Sequence, residues 1–227
     1  MATESKPQYF LFKSEPTPRM VNGTDVSYGL DEFEKDGTCW AGEPGEPVLP
    51  LCSHFAPHTH LPRPPCLAGA LAGTSEWDGV RNYAARNIMR SAKVGDMVLF
   101  YHSNVKLPGI VGIAEIAKEA YPDYTAWDPS DPHYDPKSSK DDPRWWMVDI
   151  KFVRRLKRLI SLPEMKAEEA LCSMQLFTRA RLSVQEVTQA EYEHILQMEQ
   201  RPAPAPAKAG AKRSRTKSSA SKPAAEE

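Results

Sequence analysis

The chain has 227 residues, 41% hydrophobic and 26% charged, which suffices for one folded core of about 150 to 170 residues with extensions. No run approaches the roughly 18 apolar residues of a membrane span, and Met1 to Pro7 has no hydrophobic signal region, so an intracellular protein without membrane contact is expected. The net charge of −1 conceals an acidic body and a basic tail, because from Arg201 onward seven Lys and Arg residues face only Glu226 and Glu227.

In chain order, Tyr9 to Lys13 is aromatic and β-prone and stops at Ser14-Glu15-Pro16, where proline cannot continue a ladder. Tyr28 to Phe33 predicts a helical turn with Leu30 and Phe33 inward. From about Thr38 to Glu76 the chain is rich in proline and glycine and keeps no period of 2 or 3.6. That predicts a disordered excursion. Cys39, Cys52, His54, His58, His60 and Cys66 lie within it, but their spacing fits no paired zinc-ligand pattern. With Cys172 standing alone, the cysteines do not form the framework of a secreted protein either. No metal and no cofactor is implied.

Met97 to His102 predicts a buried strand and Gly109 to Ile116 its hairpin partner, followed by a long polar loop from Asp123 to Pro143. Trp145 to Val153 alternates and predicts a half-buried strand with Val148, Ile150 and Phe152 inward. The basic cluster Arg154, Arg155, Lys157 and Arg158 follows it. Leu162 to Leu171 predicts a short helix and Arg181 to Val187 a last strand. Thr188-Gln189-Ala190-Glu191 is a capping box opening a helix with Tyr192, Ile195 and Leu196 inward. Residues 1–7 and 201–227 are expected to be disordered, and Lys212-Arg213-Ser214-Arg215 suits recognition by the nuclear import machinery.

The stretch Trp77 to Asn87 gathers two aromatics, two arginines, two asparagines and an acid into eleven positions. As a loop running into a helix, it predicts a turn at Gly79 and a buried stripe of Val80, Ala84 and Ile88. Trp77, Asp78, Arg81 and Asn82 then stand where free backbone N–H groups and flat side chains can meet a planar or anionic partner.

Short strands with aromatic and polar residues at their ends suggest a small α+β barrel with a site at one mouth. Phe12-Lys13-Ser14-Glu15-Pro16, Trp77 to Tyr83, Ala85-Arg86-Asn87, Phe100 to Asn104, Pro108-Gly109-Ile110, Ala120 to Asp123, His133-Tyr134-Asp135 and Met147-Val148-Asp149 occur together and in order. This set resembles an EVE domain over residues 8–200. The resemblance implies a PUA-like mixed β-barrel flanked by short helices, related to the YTH readers of methylated RNA. It also implies binding of modified bases, notably 5-methylcytosine and its oxidised forms in DNA. A monomer located in the nucleus is expected. Against the family pattern, residues near 38 to 74 look inserted, as a genuine insertion or a retained intron would. The region before Leu176 is shorter than usual, and the basic segment is C-terminal instead of N-terminal.

A reader of one base must extrude it, stack its faces, hydrogen-bond its edge and hold the flanking phosphates. Trp77 and Tyr101 are the predicted stacking rings, with Trp127 or Trp146 as a further wall. Ser14, Asn82, His102 and Ser103 are predicted edge readers, and Lys13, Arg81 and Arg86 are predicted to hold phosphate. Glu15, Asp78, Tyr83, Asn87 and Asn104 complete the candidate set. Modified RNA is the alternative ligand, and a protein-interaction scaffold or a hydrolase the rival class. The His-x-Glu and Pro-Cys-x-x-Cys signature of zinc deaminases does not occur, so no catalytic residue is assigned and a binding module is expected.

Overall fold

The computed structural model describes residues 7–38 and 74–203. The cysteine and histidine segment from Cys39 to Cys66 and the tail charges from Lys208 onward lie outside them. Six strands form one mixed sheet in the order β4-β7-β6-β5-β1-β8. These are β1 (Tyr9–Ser14), β4 (Thr74–Trp77), β5 (Met97–His102), β6 (Gly109–Pro122), β7 (Trp146–Ser161) and β8 (Val184–Val187). A separate ribbon pairs β2 (Met20–Val21) with β3 (Thr24–Asp25). The helices are α1 (Leu30–Thr38), α2 (Tyr83–Ser91), α3 (Leu162–Ala167), α4 (Gln175–Thr178) and α5 (Gln189–Gln200). None of those described is long and apolar enough to cross a membrane.

β1 runs parallel to β5 from Tyr9↔Met97 to Ser14↔His102, and all other pairings are antiparallel. Parallel strands buried on both faces read as continuous apolar runs. Accordingly, Phe10 and Phe12 enter one core while Leu11 enters the other, and Val98 and Phe100 separate in the same way from Leu99 and Tyr101. The first core collects side chains from all six strands. In a flat sheet β4 and β1, four steps apart, would be separated by about 19 Å. Yet the rings of Trp77 on β4 and Phe12 on β1 lie 5.2 Å apart. The sheet therefore curls round this core, helped by register shifts along β6 and β7. Helix α2 packs against both β7 and β8, and so sits between the sheet's two ends.

Several local expectations need correction. Thr74 to Glu76 are not part of the excursion but pair with Lys151, Ile150 and Asp149 as β4, and Trp77 ends that strand instead of standing in a loop. Helix α2 starts at Tyr83, so its buried stripe is Ala85, Met89 and Ala92, while Ala84 is exposed and Ile88 half-buried. Strand β7 runs on to Ser161, and Met147 and Asp149 are buried along with Val148 and Ile150 because β4 and β6 flank it. The basic cluster is part of that strand. Arg154 pairs with Glu199, Arg155 with Asp31 and Glu34, and Arg158 with Glu164, while Lys157 donates to Gln200. The predicted helix at Leu162 to Leu171 divides into α3 and a 3-10 turn at Glu169–Leu171. β8 begins at Val184, not Arg181. The capping box at Thr188 and Glu191 forms as predicted.

Candidate nucleic-acid interface

The parallel strands β1 and β5 end side by side, and in open sheets ligands gather outside the carboxyl ends of such strands. Here those ends open into a cleft of about 2000 Å³. The cleft exceeds the few hundred Å³ of a closed small-molecule pocket. Among its walls are the ends of β1 and β5, the β4–α2 loop, the turn from Asp128 to His133 and the segment from Ala180 to Ser183.

The β4–α2 loop is held by a buried ion pair. Arg81 Nη1 lies 2.6 Å from Asp123 Oδ2, and the Asp123 side chain is fully buried. Arg81 also donates from Nε to the His133 carbonyl and from Nη2 to Thr125 Oγ1. Asp123 accepts further from Gly79 N, Thr125 N and Thr125 Oγ1. Gly79 has φ +69°, and a Cβ there would lie 2.8 Å from the His133 ring, so any side chain at this turn is strained. Arg81 is thus a structural member of the loop, with part of its side chain still exposed at the cleft.

Ten of the predicted residues line the cleft: Lys13, Ser14, Glu15, Trp77, Asp78, Arg81, Asn82, Tyr101, Ser103 and Asn104. Several already have structural duties. Asn82 Oδ1 caps α2 by accepting from Ala84 N and Ala85 N, which leaves its Nδ2 group for a ligand. Ser103 donates from both N and Oγ to the Ser14 carbonyl. Glu15 pairs with Arg19. Trp77 is 9% exposed and packs against Phe12, Tyr28 and Phe100. Tyr101 belongs to the other core, so the two rings are cleft walls rooted in different cores.

Two groups are conspicuous for their chemistry. Lys13 reaches over the Tyr101 ring at 5.9 Å and donates to the Ala180 carbonyl, and burial pushes its ammonium down to about 8. It stays charged at neutral pH. Ser14 is 6% exposed, and its Oγ has no hydrogen-bond partner among the described residues. A buried hydroxyl without a partner costs about 1–3 kcal/mol, so its persistence beside a cleft is a functional clue.

Six predicted residues do not line the cleft. Trp127 donates from Nε1 to Ser138 and borders a separate small hollow with Lys140. Trp146 lies under Arg90, and Tyr83 stacks on Trp145 with Arg86 above it and Asn87 bonded to Arg86. His102 accepts at Nε2 from Leu30 N, capping α1. Cleft residues missed in the sequence include Tyr28, Lys166, Phe177 and Arg181. Arg181 was hidden because it looked like strand, and α3 and α4 offer only a turn or so each, too short for a helical period.

Burial holds the His102 imidazole below its ordinary 6.5, against the opposing pull of Asp31 and Glu32. The unfolded chain therefore binds this proton more readily, and stability falls as pH drops below 6.5 until the folded pKa is passed. Urea midpoints at pH 7.5 and 5 should differ less in His102→Gln than in the parent. An unchanged difference would remove His102 as a cause.

The EVE domain family matches residues 68–198, beginning after β1, although β1 lies inside the sheet. Thymocyte nuclear protein 1 of Mus musculus is 43% identical over 200 residues, covering 85% of this chain and 74% of its own length. A crystal structure of human THYN1 protein in complex with 5-methylcytosine containing DNA is 38% identical, with a TM-score of 0.69, covering 86% of this chain and 99% of that one. A hypothetical protein from Leishmania major is 39% identical with a TM-score of 0.64, covering 86% of this chain and 95% of that one. By these matches, and by the curled sheet that carries its motifs, the chain belongs to the EVE domain family.

Proposed function

We propose that this protein is a reader of modified bases, binding 5-methylcytosine or one of its oxidised forms in DNA by taking the flipped base into the cleft. The observation that carries this reading is the buried Ser14 Oγ, an unspent donor and acceptor at the joint carboxyl ends of β1 and β5. Trp77 and Tyr101 supply apolar walls, Asn82 Nδ2 a further donor and Lys13 a cation for a nearby phosphate. The DNA complex of the human relative supports the ligand class, and no step of bond breaking is assigned to these groups. The relatives' naming as thymocyte nuclear protein and the cluster Lys212 to Arg215 support a nuclear location.

The test is a binding screen of the full chain across unmodified, methyl-, hydroxymethyl-, formyl- and carboxylcytosine, and methyladenine, in DNA and in RNA. Preference for a modified cytosine in DNA is expected. Equal affinity for every base overturns the reading, and preference for a modified RNA base moves it to RNA. Ser14→Ala should weaken the preferred base by about 0.5–1.5 kcal/mol while leaving thermal stability unchanged or raised, since it removes an unmet hydrogen-bonding group. A destabilised variant with unchanged affinity would make Ser14 purely structural.

A further inference from the structure

We infer that the outer face of α2 is a second nucleic-acid contact, a shelf that holds the sugar-phosphate strand flanking the base in the cleft. This inference rests on the reading proposed above and extends it beyond the cleft. Tyr83, Arg86 and Arg90 are spaced i, i+3 and i+7, so they share one side of the helix. Tyr83 is 53% exposed and stacks on Trp145 at 4.9 Å and 23°. The Arg86 guanidinium lies 4.8 Å above the Tyr83 ring and donates from Nη1 to the Arg144 carbonyl. Arg90 lies 4.3 Å above Trp146.

Among the described residues, none of Arg86, Arg90 and Arg144 forms an ion pair with a carboxylate. Arg154, Arg155 and Arg158 on β7, by contrast, are each matched by acids. Uncompensated charge therefore lies on α2 and its border, with Arg86 and Arg90 seated on aromatic rings that hold the guanidinium planes in place. Such rows of cations on flat rings suit a nucleic-acid strand.

The shelf is continuous with the cleft. Asn82, a cleft residue, caps the same helix, and the Trp145 ring under Tyr83 also lies 5.5 Å from the Arg81 guanidinium of the cleft loop. From Tyr83 to Arg90 the helix advances about 10 Å, roughly three nucleotide steps along one strand. A strand that gives up one base to the cleft can thus lay its neighbouring phosphates along α2.

The test compares the full chain with Arg86→Gln/Arg90→Gln and with Arg86→Lys/Arg90→Lys, on a methylcytosine trinucleotide and on a longer duplex carrying the same base. Losing two phosphate contacts lowers the salt slope by about 2, so the affinity lost between roughly 50 and 200 mM salt shrinks about tenfold. The glutamine pair should show this loss on the duplex, keep the trinucleotide affinity and keep the ratio of modified to unmodified binding. The lysine pair should restore the salt slope. Arg90→Gln alone, at an exposed position, should give half the change and covers the case in which the double variant misfolds. An unchanged salt slope, or an equal loss on the trinucleotide, overturns the shelf. A parent protein without base preference whose salt slope still depends on Arg86 and Arg90 would overturn the base reading and leave the shelf standing.

Discussion

Trp77→Ala should destabilise the protein by about 3–5 kcal/mol, the range for emptying a large aromatic site in a core. The indole is 9% exposed and touches the rings of Phe12, Tyr28 and Phe100, which belong to strands β1 and β5 and to the entry of α1. Removing it opens a cavity where the two ends of the curled sheet approach each other, so little of the lost contact can be recovered by local collapse. Trp77→Phe keeps a ring in that place and should lose far less. Urea midpoints of the parent and both variants decide the matter. A Trp77→Ala protein as stable as its parent would mean that the indole serves the cleft and not the core.

Breaking the ion pair under the cleft loop has an effect of the same size by another route. Asp123 has no exposed side-chain surface and balances its charge on Arg81. Arg81→Met leaves that carboxylate buried without its cation, and losses of about 3–5 kcal/mol follow when one member of a buried pair is removed. Asp123→Asn should cost less, because an amide can still accept from Gly79 N or Thr125 N and leaves a guanidinium that is partly solvated. The second readout is binding. The loop from Asp78 to Asn82 loses its anchor in Arg81→Met, so preference for a modified base should fall at a temperature where the variant is still folded. Thermal melts and oligonucleotide affinity on one sample test both. A variant within about 1 kcal/mol of the parent would place the pair among ordinary surface salt bridges.

The two cases show what ties the cleft together although loops build much of it. Gly79, Arg81, Asp123, Thr125 and the His133 carbonyl form one hydrogen-bonded unit, and Ser103 ties the end of β5 to the end of β1. On the reading proposed above, a base entering between them would meet a surface already in place, which lowers the ordering cost of binding.

By itself the sequence determined the elements whose signals are local. The aromatic run Tyr9 to Lys13, the apolar run Met97 to His102 and the capping box at Thr188 all form where predicted, because β-propensity, burial and capping act between neighbours in the chain. The ordered motifs also carried the family. Only the tertiary structure decided which charged and polar residues are free. Arg81 meets Asp123 across 42 positions and Arg155 meets Asp31 across 124, while Arg86 and Arg90 find aromatic rings and, among the described residues, no acid. Likewise the parallel pairing of β1 with β5 and the curl that brings Trp77 to Phe12 arise from contacts between distant segments. Spacing along the chain shows which face a residue takes on its own element, and a charge is spent or left over according to what the fold sets opposite it.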